Sequence, residues 1–272
     1  MPMERSRLRR TWLVVLALLL VLLAWRLARP VLLPEDSPGA AGRYLTMMAQ
    51  EAAFFGIPAL FLRSWRMRAA RRATGSGCAI SLAAGAALAL MMNPISAGWS
   101  SLLLMAPREM PVPSTMPEWA LLVLAAVVVP ALAEEAFFRG GVLCGLARGM
   151  GGEKAMALTV MLFALIHGRV AALPAHLACG ALFTLSMLRY GGLWSPTVTH
   201  LTYNAVTLAL AWRGVTLPWV SLLATVPVTA ALAGVMLRGV AWPEGEKLKG
   251  ADLALGIAAM TVLGLYFVVQ LR

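Results

Sequence analysis

Long apolar runs recur along the whole chain and are separated by short stretches rich in arginine, proline or glycine. Several runs approach the roughly 20 residues that a helix needs to cross a bilayer. Apolar and polar residues do not alternate over ten-residue segments, which argues against a membrane barrel. The runs predict nine helices, at about 11–25, 44–62, 78–92, 118–146, 155–167, 170–188, 193–212, 217–237 and 252–271.

These helices predict an all-α fold, a polytopic transmembrane bundle of about eight to nine helices that forms one membrane domain, residues 1–272. Helix three is expected to stop at Asn93-Pro94, because prolines recur before helix four begins. Segment 94–117 then becomes an external loop with an interfacial or re-entrant piece. The expected parts are residues 1–117 with helices one to three and that loop, residues 118–212 with helices four to seven, and residues 213–272 with the C-terminal helices.

The composition is that of a membrane protein, since 60% of the residues are hydrophobic and 13% are charged. The net charge is +11, but the arginines form short clusters between apolar runs, which indicates anionic lipid headgroups as partners and no nucleic acid. The predicted topology places 15 of the 23 Lys and Arg residues on the side of the N-terminus. We therefore expect an uncleaved signal anchor, a cytoplasmic N-terminus and location in the cytoplasmic membrane. Three isolated cysteines predict neither a disulfide framework nor a thiolate metal site.

Two adjacent carboxylates, Glu134 and Glu135, lie with Arg139 inside the apolar run of helix four. An ionised group near the bilayer centre costs at least about 2.5–3.5 kcal/mol, so intramembrane acids usually face a polar interior and mark a site. Glu135 and Arg139 are four residues apart and are expected to pair along the helix. Pro130, one turn before Glu134, is expected to bend the helix near the site.

Three other polar side chains are expected at depths similar to that of Glu134. His167 closes helix five, while His200 and Asn204 share one face of helix seven because they are four residues apart. At 1.5 Å per residue, these positions lie roughly 10–18 Å from the cytoplasmic ends of their helices. A protonatable acid, two imidazoles and an amide can therefore converge within the membrane.

Three short motifs follow one another inside these apolar runs: Glu134-Glu135-x-x-x-Arg139, Phe163-x-x-x-His167 and His200-x-x-x-Asn204. In this order they resemble the CPBP family of intramembrane proteases, also called the ABI family. That family contains the type 2 CAAX prenyl endopeptidase and bacterial proteins linked to bacteriocin processing and immunity. The resemblance spans about residues 117–212, so helices four to seven would form the catalytic core.

The resemblance implies a role for each matched residue. Glu134 would activate the water molecule that attacks the scissile carbonyl group, and His167 would assist it. His200 and Asn204 would stabilise the oxyanion. The supporting positions are Glu135, Arg139 and Phe163.

The resemblance also implies a peptide or protein substrate within or beside the lipid bilayer. Its processing would resemble removal of a C-terminal sorting signal from a surface protein or maturation of a small secreted peptide. Prenylated CAAX substrates are not expected if the source is bacterial, as the Ala- and Arg-rich composition indicates. The oligomeric state cannot be read from the sequence.

Other interpretations of the same residues remain open. Glu134, His167 and His200 form a ligand set that zinc would accept, with an open position for water. An HExxH motif is absent and no carboxylate partner is obvious for each imidazole, so we expect no cofactor and keep zinc as the alternative. Glu134 and the histidines could instead carry protons in a transporter, or the chain could be a non-catalytic immunity protein or scaffold.

Three further polar residues lie in the apolar runs outside the motifs. His176 follows Pro174 in helix six, nearer the external side in the predicted topology, and is expected to be structural. Gln50 and Glu51 in helix two either face the same cavity as Glu134 or serve only in packing.

Overall fold

The computed structural model describes residues 2–32, 39–62, 75–105, 112–190, 192–238, 240, 242, 244 and 250–270. Within these residues the regular structure is entirely helical, which confirms the predicted all-α bundle. The helices are α1 (Pro2–Leu32), α2 (Ala40–Leu62), α3 (Gly75–Leu102), α4 (Met116–Met150), α5 (Gly152–Ile166), α6 (Leu173–Tyr190), α7 (Trp194–Trp212), α8 (Leu222–Leu237) and α9 (Gly250–Gln270).

Seven helices of the described residues are long and apolar enough to cross a membrane, so the chain is a multi-pass membrane protein. The two that fall short of this standard are α5 and α7. Helix α5 has only 15 residues, about 22 Å at 1.5 Å per residue, less than the hydrocarbon core of about 30 Å. Helix α7 is long enough, but threonines, a histidine, an asparagine and a tyrosine make it more polar.

Helices α4 and α6 form the centre of the bundle. Half of the most apolar stretch of each is buried inside the protein, compared with 11% for the stretch that contains α8. Large apolar side chains on the peripheral helices point outward, as expected for contact with lipid, and examples are Leu20, Leu60 and Leu223. The polar residues of α4 therefore lie at the most enclosed position in the bundle.

Helix α3 continues through Pro94 to Leu102, so the prediction that it ends at Asn93-Pro94 was wrong. Proline is tolerated inside transmembrane helices because neighbouring helices and side chains bond the freed backbone groups. The Asn93 side chain bonds to the loop after α7, donating to Val215 O at 3.2 Å and accepting from Leu217 N at 2.7 Å. The polar residue therefore joins α3 to this loop and does not end the helix.

A stripe of glycines at Gly141, Gly145 and Gly149 lets the N-terminal helices approach α4 closely. A Cβ atom on Gly145 would lie 3.0 Å from Cβ of Thr11 in α1, and one on Gly149 would meet Leu8 of the same helix. Small residues four apart allow this kind of backbone approach in membranes. Helix α1 is also joined to α9 by the ion pair of Arg9 and Asp252, with 2.9 Å between Nε and Oδ1.

Several sequence predictions lie outside the described residues. They include the arginine-rich segment 63–74, on which the predicted orientation chiefly rests, and the prolines at positions 34, 38, 107 and 111. The cytoplasmic position of the N-terminus accordingly stays a prediction.

Candidate active site

Helix α4 departs from regular α-helical geometry on both sides of Pro130. Residues Leu124–Val128 and Glu135–Leu143 form π-helical turns, in which hydrogen bonds span five residues. Proline lacks the N–H group that would bond one turn back, so a local adjustment of the ladder is expected here. The second π-helical stretch starts directly after Glu134 and contains the rest of the acidic motif.

Glu134 of α4 faces His167, which follows the last residue of α5. Oε2 of Glu134 lies 3.6 Å from Nε2 of His167, and the Glu134 side chain is almost fully buried. On the other side of the ring, Nδ1 of His167 donates to the carbonyl oxygen of Phe163 at 2.5 Å. A carbonyl oxygen only accepts, so the ring carries hydrogen on Nδ1 and a neutral ring presents Nε2 as an acceptor toward Glu134.

Glu135 binds two partners through a single oxygen atom. Its Oε1 accepts from Nη1 of Arg139 at 2.9 Å, as the spacing predicts, and also from Nδ1 of His200 at 2.8 Å. The Arg139 guanidinium group donates from Nη2 to Gly180 O at 3.2 Å. Glu135 and Arg139 are fully buried, so the carboxylate both neutralises the arginine and fixes the His200 ring.

Aromatic rings surround the Arg139 guanidinium group. Its central carbon lies 4.6 Å from the centre of the Phe163 ring and 5.3 Å from that of Phe183. Phe183 stacks on His200 with 4.5 Å between ring centres and an angle of 25°. Phe163 and Phe183 therefore enclose the cation and hold the His200 ring, and sequence reasoning had not singled out Phe183.

His176 lies against the site, and its expected structural role and external side stay predictions. Its ring is 4.1 Å from that of His167, with 30° between the two planes. His176 lies near the start of α6 and His167 just after α5, and the short turn between these helices keeps them at the same level. All three histidines of the chain thus adjoin one cluster.

Asn204 lies one turn beyond His200 on α7 and is half-buried. Among the described residues, its amide group has no hydrogen bond to Glu134, His167 or His200. The structure thus brings the acid and the two imidazoles together, and a role for Asn204 stays a prediction.

A cavity of about 640 Å³ opens beside His167, at the end of the bundle where α1, α5 and α9 end. Glu51 and Gln50 of α2 both face it, which answers the question that the sequence left open. The Glu51 carboxyl group also lies within hydrogen-bonding reach of Glu134. The remaining lining residues are Leu22, Trp25, Arg26, Phe54, Phe55, Met105, Ile166, Gly168, Arg169, Val170, Ala171, Tyr266 and Gln270.

The zinc alternative concerns Glu134 and the same two histidines, His167 and His200. In the part of the chain that the structure describes, no three His, Cys, Asp or Glu side chains are grouped to hold a metal ion. Nδ1 of His167 and Nδ1 of His200 each donate to an oxygen atom within the protein, which leaves Nε2 as the ring nitrogen not used in these bonds.

Part of the chain matches a known protein family. The family described as Rce1-like, type II CAAX prenyl endopeptidase, matches residues 116–206, a segment that contains all three motifs. No curated protein and no solved structure matches the chain.

Proposed function

We propose that the protein hydrolyses a peptide bond with a water molecule activated by a glutamate. Residues 116–206 match the family described as Rce1-like, type II CAAX prenyl endopeptidase, and this match confirms the resemblance to the CPBP family. The family implies protease activity within a multi-pass membrane protein. In the proposed reaction, Glu134 takes a proton from a water molecule whose oxygen attacks the carbonyl carbon of a peptide bond. The products are a carboxylic acid and an amine.

One distance carries this proposal. Glu134 Oε2 and His167 Nε2 are 3.6 Å apart, and a single water molecule at about 2.8 Å from each can contact both atoms. Both atoms can accept a hydrogen, so each can receive one of the two O–H groups of that water. This arrangement orients the oxygen lone pairs of the water away from the protein, toward an incoming carbonyl group.

His200 would stabilise the oxyanion in its charged form. Its Nδ1 donates to Glu135, so in a neutral ring Nε2 carries no hydrogen and can only accept. Donation from Nε2 to an oxyanion therefore requires a ring that carries hydrogen on both nitrogens, with the Nδ1 hydrogen held by the Glu135 carboxylate at 2.8 Å. In this proposal Glu135 has a part in the chemistry as well as in the architecture, and Asn204 supplies a second donor.

The short helix α5 explains how water reaches a site within the membrane. It ends at Ile166, and the non-helical residues that follow line the cavity. Irregular backbone at membrane depth is tolerated where it is buried in protein or faces a water-filled cavity. The cavity would therefore admit both water and a short extended segment of the substrate.

The substrate we propose is a membrane-associated or secreted peptide or protein, processed as a C-terminal sorting signal or a small peptide would be. The apolar surface of the peripheral helices supports lateral access from the lipid. The proposed location is the cytoplasmic membrane with the N-terminus inside, and labelling of single cysteines from either side of sealed vesicles would test the orientation.

Glu134→Gln is the direct test of the mechanism. Two internally quenched probes in detergent micelles would be used, a peptide ending in a prenylated cysteine plus three residues and an apolar helical peptide with a basic end. Loss of the general base should lower kcat by about 10²–10⁴, while Glu153→Gln, the same change at an exposed position, should leave it unchanged. Full activity in a folded Glu134→Gln protein, or no cleavage of either probe by the wild-type chain, would contradict the proposal.

A metal-free reaction is part of the proposal. The separation of 3.6 Å between Glu134 and His167 supports it, because the two groups can activate one water molecule between them without a Lewis acid. Dialysis against a chelator should leave cleavage unchanged. Activity that disappears and returns only when zinc is added would favour the metalloprotease alternative.

A further inference from the structure

We propose that Glu51 is a second catalytic residue of this site, one that protonates the amine leaving group and then recovers a proton from Glu134. The inference rests on the proposed function, since it completes the proton balance of the same hydrolysis. Glu51 belongs to α2 and lies outside the matched segment 116–206.

Its position is the first support. Glu51 and His167 line the cavity, and Glu134 is not among its described lining residues. A substrate that enters the cavity therefore lies beside Glu51, whose carboxyl group is within hydrogen-bonding reach of Glu134. Among the residues that the structure describes, Oε2 of Glu51 and Oε2 of Glu134 are both buried without a hydrogen-bond partner, which leaves each carboxyl group one oxygen atom for a bond at the site.

Local backbone geometry provides independent support. Glu51 is the last residue before the π-helical turn Ala52–Gly56, just as Glu134 is the last residue before Glu135–Leu143. These rare turns inside α-helices occur frequently at functional sites. The same distortion thus adjoins the acid on each of the two helices, where the carboxyl groups come within hydrogen-bonding reach.

Two carboxyl groups in contact share one proton, because a pair of adjacent negative charges is unfavourable. In the resting pair, Glu134 would be ionised and Glu51 protonated. Water gives a proton to Glu134 as its oxygen bonds to the carbonyl carbon, and the oxyanion forms. When the C–N bond breaks, the nitrogen takes the proton of Glu51. The proton on Glu134 then passes along the shared hydrogen bond to Glu51 and restores the pair.

This role predicts a dependence on the leaving group. An alkoxide leaves with much less need of a proton than an amide nitrogen does. Glu51→Gln should therefore lower kcat on the cleaved peptide probe by about 10²-fold or more. On the matching depsipeptide, in which an ester replaces the scissile amide, the same variant should differ from wild type by only a few-fold.

The experiment compares Glu51→Gln, Glu134→Gln and the control Glu153→Gln on both members of the probe pair, after size-exclusion chromatography and thermal unfolding have established folding. Glu134→Gln should be inactive on both probes. Equal slowing of Glu51→Gln on amide and ester, or wild-type activity on the amide, would overturn the role of Glu51 and leave the proposed function standing. Activity of Glu134→Gln would instead overturn the proposed function, and this inference with it. If Glu51→Gln does not fold, Glu51→Asp replaces it, with the same contrast between amide and ester expected.

Discussion

Replacement of Arg139 by methionine tests how the membrane interior accommodates Glu135. The change removes the hydrogen bond from Nη1 to Glu135 at 2.9 Å and the one from Nη2 to Gly180 O at 3.2 Å. It also removes a cation from the face of the Phe163 ring, 4.6 Å away. Methionine has a similar length and is apolar, so packing is kept while the charge is lost.

The cost arises mainly from the carboxylate that is left behind. Both partners are fully buried, and breaking a buried pair by removing one member costs about 3–5 kcal/mol because the other charge is uncompensated. At 1.4 kcal/mol per factor of ten, a loss of about 4 kcal/mol shifts the folding equilibrium by roughly 10³. The double variant Glu135→Gln/Arg139→Met removes both charges, so it should lose much less than the sum of its single changes.

These differences in the free energy of unfolding are measured in mixed micelles, in which the mole fraction of a denaturing detergent is raised and the loss of helix is followed by circular dichroism. Arg238→Met, at an exposed position, is the matched control and should be neutral. Arg139→Lys should fall between wild type and Arg139→Met, because lysine keeps the charge but not the planar fork. If Arg139→Met lowered the free energy of unfolding by less than about 1 kcal/mol, the buried pair would not be a main source of stability. Strictly additive changes in the double variant would contradict the coupling of Glu135 and Arg139.

Three further changes address other parts of the account. Gly145→Val should separate α1 from α4 and destabilise the protein, because its Cβ atom would meet Thr11. Gly234→Val, with no described atom within 4 Å of the added Cβ atom, should be neutral in the same unfolding assay. Asn93→Leu should cost about 1–3 kcal/mol by leaving the loop groups at Val215 and Leu217 unpaired, and faster hydrogen exchange of the Leu217 amide would report it. Chelation should leave peptide cleavage unchanged, and recovery dependent on zinc would contradict this.

Much of the bundle could be predicted from the sequence because the membrane demands long apolar helices. The end of α3 could not, since Asn93-Pro94 is a stop signal in soluble proteins. In the bundle, the asparagine bonds to another segment and the helix continues. Local propensity was overridden by tertiary hydrogen bonds, which a linear pattern does not reveal.

Contacts between site residues on the same helix could be predicted from the sequence, whereas contacts between helices could be predicted less well. The pair Glu135–Arg139 follows from spacing alone, while the bond from His200 to Glu135 depends on how α7 packs on α4. The glycines from Gly141 to Gly149 could have predicted close packing of another helix on α4, since small residues recur there every four positions. The proximity of His176 to His167 could also have been predicted, because a short turn joins α5 to α6 and keeps these two histidines at the same level.

The most direct measurement compares wild-type protein with Glu134→Gln in membranes of the producing cells, using affinity capture and mass spectrometry. We expect that an intact membrane-associated or secreted polypeptide is captured together with the Glu134→Gln variant. Wild-type protein should convert the same polypeptide into two fragments that together contain its full sequence and one added water molecule. Equal cleavage by the two proteins would contradict the central claim that Glu134 activates the attacking water.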